Sequence, residues 1–325
     1  MKKLNFNIPF TGYSCHSFLS DFAAVHTYIT EIIPTGISDK ELGWYQEMYY
    51  FLFGTLSGCN SFLQNMEQSR NDPSEDIETV DFCMKFCGYA YDMVRHNMED
   101  SLIESIDRGY PVIAKLKNAE FGPSRVLIGY DKDKIIVPAC SNEQSPSPTA
   151  PIYEEIECLY IIRGIGQKER TLLDGFRNIE KSLKESIQYG VWTNSLEAFD
   201  YFGQNMNKIP FEEIKSRFET VKNIAWNFDR CHNFAETFRK RILPELTDSR
   251  LDEFCNQIDY WYKLSLEQQW QIIALHDCRD WNERRWDCLE AGMCTCIKWT
   301  MESLAKNDDE ILKVIQKMIE VLENE

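Results

Sequence analysis

The chain has 325 residues, which suits two domains and allows sizeable buried cores. At 43% hydrophobic and 27% charged residues it is excluded from the disordered class. Its formal net charge of −17 argues against nucleic acid and anionic membranes as partners, because both require a clustered positive surface.

Met1-Lys2-Lys3 is followed by Leu-Asn-Phe-Asn-Ile-Pro, which is not the apolar core of a signal peptide, and no run approaches the length of a bilayer span. The expected location is the cytoplasm, where the 12 cysteines are mostly free thiols.

Residues 1–11 read as an extended lead-in closed by the Pro9-Phe10-Thr11-Gly12 turn. Residues 14–33 then show apolar positions at steps of three and four: Phe18, Leu19, Phe22, Ala23, Val25, Ile29, Ile32 and Ile33. That period predicts an amphipathic helix, with Ser14 as N-cap and Cys15 in the first turn. A thiol there feels the positive end of the helix dipole, which favours the thiolate and marks Cys15 as a candidate nucleophile. The bland alternative is a small buried apolar residue, the ordinary role of a helical cysteine.

Ser38 and Glu41 form a capping box for a second helix to about residue 50, whose aromatic end reads as core. Residues 53–62, with Gly54, Ser57 and Gly58, read as a tight loop that lacks the phosphate-loop pattern. Residues 97–108 predict a short helix stopped by Gly109. The period then changes. Strands are expected over 110–116, 125–130, 135–137 and 157–163, with 131–134 turning a hairpin and 141–151 a loop. Helices first and an antiparallel sheet afterwards make residues 1–163 an α+β domain. From Gly164 the spacing is helical nearly to the end, near 167–188, 194–207, 210–243, 247–276, 279–305 and 308–323. Residues 164–325 are thus expected to be an all-α domain.

Cys83 and Cys87 share a helix face at i, i+4 and read as buried thiols, since one such pair does not close a zinc site. His276, Cys278, Cys288, Cys294 and Cys296 suffice in number for zinc but lack a CxxC element, so no metal is expected. No cofactor is expected either. Trp270, Trp281, Trp286 and Trp299, with Tyr260, Trp261 and Tyr262, read as core, the second reading being an aromatic cleft wall.

GYSC ahead of a helix, then LFGTLSGCNSF, RGYPVIAKL and VLIGYDKDKIIV, in that order, resemble the N-terminal domain of the butirosin biosynthesis protein H family. GIGQKERTLLDGF and SLEAFDYFGQNM resemble the helical region that follows that domain. The resemblance implies a bacterial, papain-like protein of specialised metabolism, in which a helix-start cysteine faces a histidine on a strand. The family's namesake moves an aminoacyl group from a carrier protein onto an aminoglycoside. By position, Cys15 matches the cysteine, Gly54 and Gly58 the glycine-rich loop, and Gly129, Tyr130 and Asp131 the strand-end GYD. Gly54, Ser57, Gly58, Tyr130 and Asp131 are accordingly the expected substrate-binding residues.

The sequence departs from this pattern where the base should be. Pro123, Ser124 and Arg125 stand in place of the strand histidine, and Pro138-Ala139-Cys140 follows the next strand where a polar partner is usual. His26, on nearly the same helical face as Cys15, is about 16 Å away along the axis, too far for a base that must lie within about 3 Å or one water. His16, adjacent to Cys15, and His96, ahead of a helix, remain as candidates; His232 and His276 lie in the second domain.

Two classes of function stay open. In the first, Cys15 attacks an acyl carbonyl to form a thioester, with helix-start N–H groups stabilising the oxyanion, and transfer from a carrier thioester is favoured over proteolysis. The partner is then a small-molecule or carrier-bound acyl substrate. In the second, the same cleft is non-catalytic and binds a small molecule, peptide or carrier protein. A homodimer is the expectation from base rates.

Overall fold

The computed structural model describes residues 1–6, 18–32, 77–117, 124–132, 134–138, 150–188, 204–205, 208, 210, 212–213, 248–277 and 291–324. These fall into two compact units, one up to Thr171 and the other from Leu172 onward. The first mixes helices with antiparallel sheets, and the second contributes the C-terminal helices.

In the first unit, β1 (Lys2–Lys3) precedes α1 (Phe18–Thr27), which runs into a π-helical turn over Tyr28–Ile32. The threonines mark this widening. Thr27 Oγ1 donates to the Ala23 carbonyl at 2.9 Å and Thr30 Oγ1 to the His26 carbonyl at 2.8 Å. Side-chain bonds of this kind compete with the main-chain ladder and loosen a helix locally. The helix α2 (Ile77–Phe86) ends at Gly88, whose φ of 75° reverses the chain directly into β2 (Tyr89–Val94).

The next helix, α3 (Met98–Asp107), ends as its sequence predicts. The Gly109 N–H bonds the Ile106 carbonyl at 3.1 Å and the Tyr110 N–H bonds the Ser105 carbonyl at 3.0 Å, the double bond of a Schellman stop. Then come β3 (Val112–Leu116), β4 (Ser124–Leu127), β5 (Gly129–Asp131), β6 (Lys134–Ile136), a 3-10 turn at Tyr153–Glu155 and β7 (Ile156–Ile165).

The strands form two antiparallel sheets, in the orders β2-β7-β3-β4 and β1-β5-β6. The single strand expected over 125–130 is therefore two strands in two sheets. Ile128 is the joint: its N–H bonds the Ile136 carbonyl at 2.9 Å, and its own carbonyl takes the Leu4 N–H at 2.8 Å. β7 also runs past the expected Arg163, pairing Gly164 with Ala90 and Ile165 with Tyr89.

Because direct partners in an antiparallel ladder share a face, the register divides the four-stranded sheet into two sides. Val112, Ala114, Leu127, Leu159 and Ile161 face α3 and pack with Leu102 and Ile106 in one buried cluster. Ile113, Lys115, Ser124, Val126, Cys158 and Tyr160 lie on the other side, under α1; Phe18 meets the Tyr160 ring edge-on at 5.5 Å.

Gly129 has no room for a side chain, because a Cβ there would sit 2.4 Å from the Lys2 carbonyl oxygen. Gly129→Ala is therefore expected to push β1 off β5. Hydrogen exchange should speed up at Leu4, whose N–H bonds Ile128, while protection in α3 is retained.

The described elements of the second unit are α4 (Leu172–Gln188), α5 (Arg250–Asp277) and α6 (Ala291–Leu322), with α6 packed against both others. Where two helices are expected over 279–305 and 308–323, α6 is continuous through Asn307 and Asp308. These polar residues do not break it because they are buried. Asn307 Nδ2 donates to Ser265 Oγ at 2.9 Å and Gln268 Oε1 at 3.1 Å, and Gln268 Nε2 donates to Ser303 Oγ at 2.8 Å. The core reading of the aromatic set fails for Trp299, 65% exposed, and Tyr260, 59% exposed. Both lie on the outer faces of long helices. The side chains of Trp270 and Tyr262, and Trp281 and Trp286 altogether, lie outside the described residues, as do the helices expected over 40–50, 194–207 and 210–243, apart from a few positions.

Candidate functional site

Cys15 and His16, and Gly54, Ser57 and Gly58 of the loop, lie outside the described residues, as does His232. The site can be built from α1, the helix that begins three residues after Cys15. Most of its described side chains are enclosed: Phe22, Ala23, Ala24 and Val25 are fully buried, and so are the polar Asp21 and Thr27. Where an amphipathic stripe is expected, residues 21–25 and 27 are thus buried without a polar face between them, as the high apolar content allows.

Asp21 faces the start of β4. Ser124 Oγ donates to Asp21 Oδ2 at 2.5 Å, and Asp21 Oδ1 has no hydrogen-bond partner among the described residues. Arg125 is also buried, and its Nη1 donates to the Ser124 carbonyl oxygen at 2.6 Å. Burial pushes the Asp21 carboxyl up to about 7, although the Ser124 hydrogen bond and the Arg125 charge both pull it down. Burial lowers the Arg125 guanidinium, and Asp21 opposes that shift. This cluster can hold a proton on a carboxyl near neutral pH. It presents no free nucleophile, because the Ser124 hydroxyl is buried and committed to Asp21.

At the other end of α1, His26 Nδ1 lies 2.7 Å from the Tyr89 hydroxyl, and the imidazole stacks on the Phe22 ring at 6.3 Å. Burial, with a smaller contribution from Lys168, lowers His26 to about 4, so the ring is neutral at physiological pH. Burial likewise raises the Tyr89 hydroxyl. His26 is therefore a partner of β2. His96 is exposed on the connection between β2 and α3.

Tyr130 and Asp131 lie on β5 in a surface cluster with β1 and α3. The Tyr130 hydroxyl donates to Asp107 Oδ1 at 3.0 Å, Lys2 Nζ lies 2.7 Å from the same oxygen, and Asp131 Oδ1 lies 3.3 Å from the Met1 amino group. The structure thus brings Tyr130 and Asp131 together with Lys2 and Asp107, on the α3 side of the fold, away from the α1 face.

Cys83 is buried and Cys87 half-buried, both as free thiols. Burial raises Cys83 well above the usual thiol range and Cys87 to about 12; Cys158, beneath α1, is also raised by burial. Thiols held neutral in this way are poor nucleophiles. Among the described residues, no group of three or more His, Cys, Asp or Glu could hold a metal ion, and no helix is long and apolar enough to cross a membrane.

The residue that sequence reasoning missed is Asp21. In FLSDFAAV its neighbours are apolar at nearly every position of two helical turns. That left no solvated face for it, and this was the available signal. No protein-family model matches the chain, and no curated protein matches it.

Proposed function

We propose that the first unit is a papain-like domain, similar to that of the butirosin biosynthesis protein H family, which binds an acyl-, peptide- or small-molecule ligand without general-base chemistry. The start of β4 carries this reading. In the resemblance that position belongs to a histidine facing the cysteine helix. Here Ser124 faces α1 and is hydrogen-bonded to Asp21, and Arg125 is always protonated and cannot act as a base. His26 is held by Tyr89 and His96 is exposed at the β2–α3 connection, so among the described histidines none lies on β4. The layering of α1 and α3 on opposite faces of an antiparallel sheet supports the papain-like assignment. The free thiols Cys83, Cys87, Cys158 and Cys255 fit a reducing cytoplasm.

A second reading keeps Cys15 as a nucleophile toward carrier-bound acyl groups. It is favoured by the regular helix that begins three residues beyond Cys15, whose positive end would support a thiolate. The Cys15 thiolate would attack the thioester carbonyl carbon, the acyl–sulfur bond to the carrier would break, and the carrier would leave as a thiolate that takes a proton from solvent. No amine leaving group has to be protonated in that step.

Intact-mass measurement after incubation with acyl-N-acetylcysteamine thioesters separates the two. Under the first reading the mass stays unchanged and a chromogenic peptide amide is not hydrolysed. A single acyl adduct that disappears in Cys15→Ser would establish the second.

A further inference from the structure

Asp21 and His26 stand on the same helix but face different strands. Asp21 points at β4, with one carboxylate oxygen on Ser124 and the other without a partner among the described residues. His26 points at β2, between the rings of Phe22 and Tyr89. In each setting the neutral form is the one the surroundings accept. A buried carboxylate with one orphan oxygen is costly, and so is an imidazolium withdrawn from water near the Lys168 charge.

We propose that α1 is seated on the sheet by two oppositely titrating groups, Asp21 over β4 and His26 over β2, which together keep it in place across the acidic-to-neutral range. Either group alone would loosen the helix at one end of that range. The device is independent of what Cys15 does.

The signs follow from linkage. The folded pKa of Asp21 is raised, from 3.8 to about 7. Its contribution to stability is fully present below pH 3.8 and is lost as pH rises toward 7. The folded pKa of His26 is depressed, from 6.5 to about 4. Its contribution is present above pH 6.5 and is lost as pH falls toward 4. Between about pH 4 and pH 6.5 the two slopes are opposite and nearly cancel.

Other charged and titratable groups lie on the elements packed against α1, Arg125 among them on the side of the sheet turned toward α3. Arg125 of β4 lowers the Asp21 pKa, and Lys168, beyond β7, lowers that of His26. Lys115 of β3 is held 3.4 Å from Glu157 of β7, and on β2 the Tyr91 hydroxyl donates to Asp81 of α2 at 3.3 Å. Burial raises Cys158, Tyr160 and Tyr89, which keeps them neutral throughout this range.

The test is hydrogen exchange of peptides from α1 in the full chain, corrected for the intrinsic pH dependence of exchange, between pH 4.5 and 8. The native chain should vary less than about threefold up to pH 6.5. Asp21→Asn should lose protection by about tenfold per pH unit as pH falls below 6.5, and His26→Gln by about tenfold per unit as pH rises toward 7. Ser124→Ala leaves both groups in place and removes a bond that lowers the Asp21 pKa. It should extend the loss of protection to higher pH than in the native chain, and it tests the proposal even if a charge variant fails to fold. Flat profiles in both charge variants, or slopes of the same sign, would overturn the proposal, as would a Ser124→Ala profile identical to the native one.

Discussion

Phe22→Ala is expected to destabilise the first unit by about 3–5 kcal/mol. Phe22 is fully buried, and its ring meets those of Phe18 at 5.8 Å, Tyr89 at 6.1 Å and His26 at 6.3 Å. Truncation removes the transfer energy of a large aromatic side chain and leaves a cavity between α1 and β2. The Phe18, Tyr89 and His26 rings are fixed by other contacts and cannot all close over it. Chemical denaturation followed by tyrosine and tryptophan signals should show a lower midpoint. α1 should lose exchange protection first, because Phe22 is its central contact. A loss under 1 kcal/mol would mean that the helix is held mainly by residues outside α1.

Arg125→Met should destabilise the chain in a strongly pH-dependent way. Arg125 acts on Asp21 through its charge and not through a close ion pair, so the roughly 3–5 kcal/mol of a broken buried pair is an upper bound. Asp21 need not stay charged, because its carboxyl already lies at about 7 with Arg125 present, and removing the cation raises it further. Sign and window follow. Well below pH 3.8 the carboxyl is neutral in both the folded and unfolded states, so the variant loses only the packing of the arginine. As pH rises the unfolded carboxyl ionises while the folded one resists, and the deficit relative to the native chain becomes largest above pH 7. Denaturation midpoints at pH 4.5 and pH 8 for both proteins give the comparison. An equal deficit at the two pH values would show that Arg125 acts through packing alone.

Much of the scaffold is legible in the sequence where one local rule dominates. The α3 helix and its stop follow from a short apolar stripe and Gly109, and the β5–β6 hairpin from two apolar runs around a charged turn. The described helices of the second unit follow from their period, although the break expected between 305 and 308 does not occur. Asn307 and Asp308 look like a loop in sequence, and for Asn307 it is the partner hydroxyl and amide on α5, Ser265 and Gln268, that make it tolerable inside a helix. Strand β2 escapes sequence reading for the opposite reason. Ala90, Asp92 and Met93 are exposed, so YAYDMV has no clean alternation, and the strand is specified by pairing with β7 rather than by its own pattern. The change of sheet at Ile128 is likewise non-local, since it depends on β1 reaching β5 from the far end of the chain.

The candidate site was half legible. That no histidine stands at the start of β4 can be read directly from Pro123-Ser124-Arg125. The group that faces that position is harder to read, because an aspartate in a helix is usually solvated and only the apolar neighbours in FLSDFAAV report that this one is not. Electrostatics then follow from burial: the same desolvation raises Asp21, lowers His26 and raises Cys83 and Cys87.

The absence of a base on β4 is tested most directly by the pH dependence of iodoacetamide alkylation at Cys15, with the label located by mass spectrometry and with the buried Cys83 serving as an internal unreactive control. The account predicts that Cys15 labels with the pH profile of an ordinary thiol, with an apparent pKa close to the reference of about 8.5. Selective labelling with an apparent pKa below about 7 would reveal a thiolate held by the helix end or by a cationic partner, and would contradict the proposed binding role in favour of the nucleophile reading.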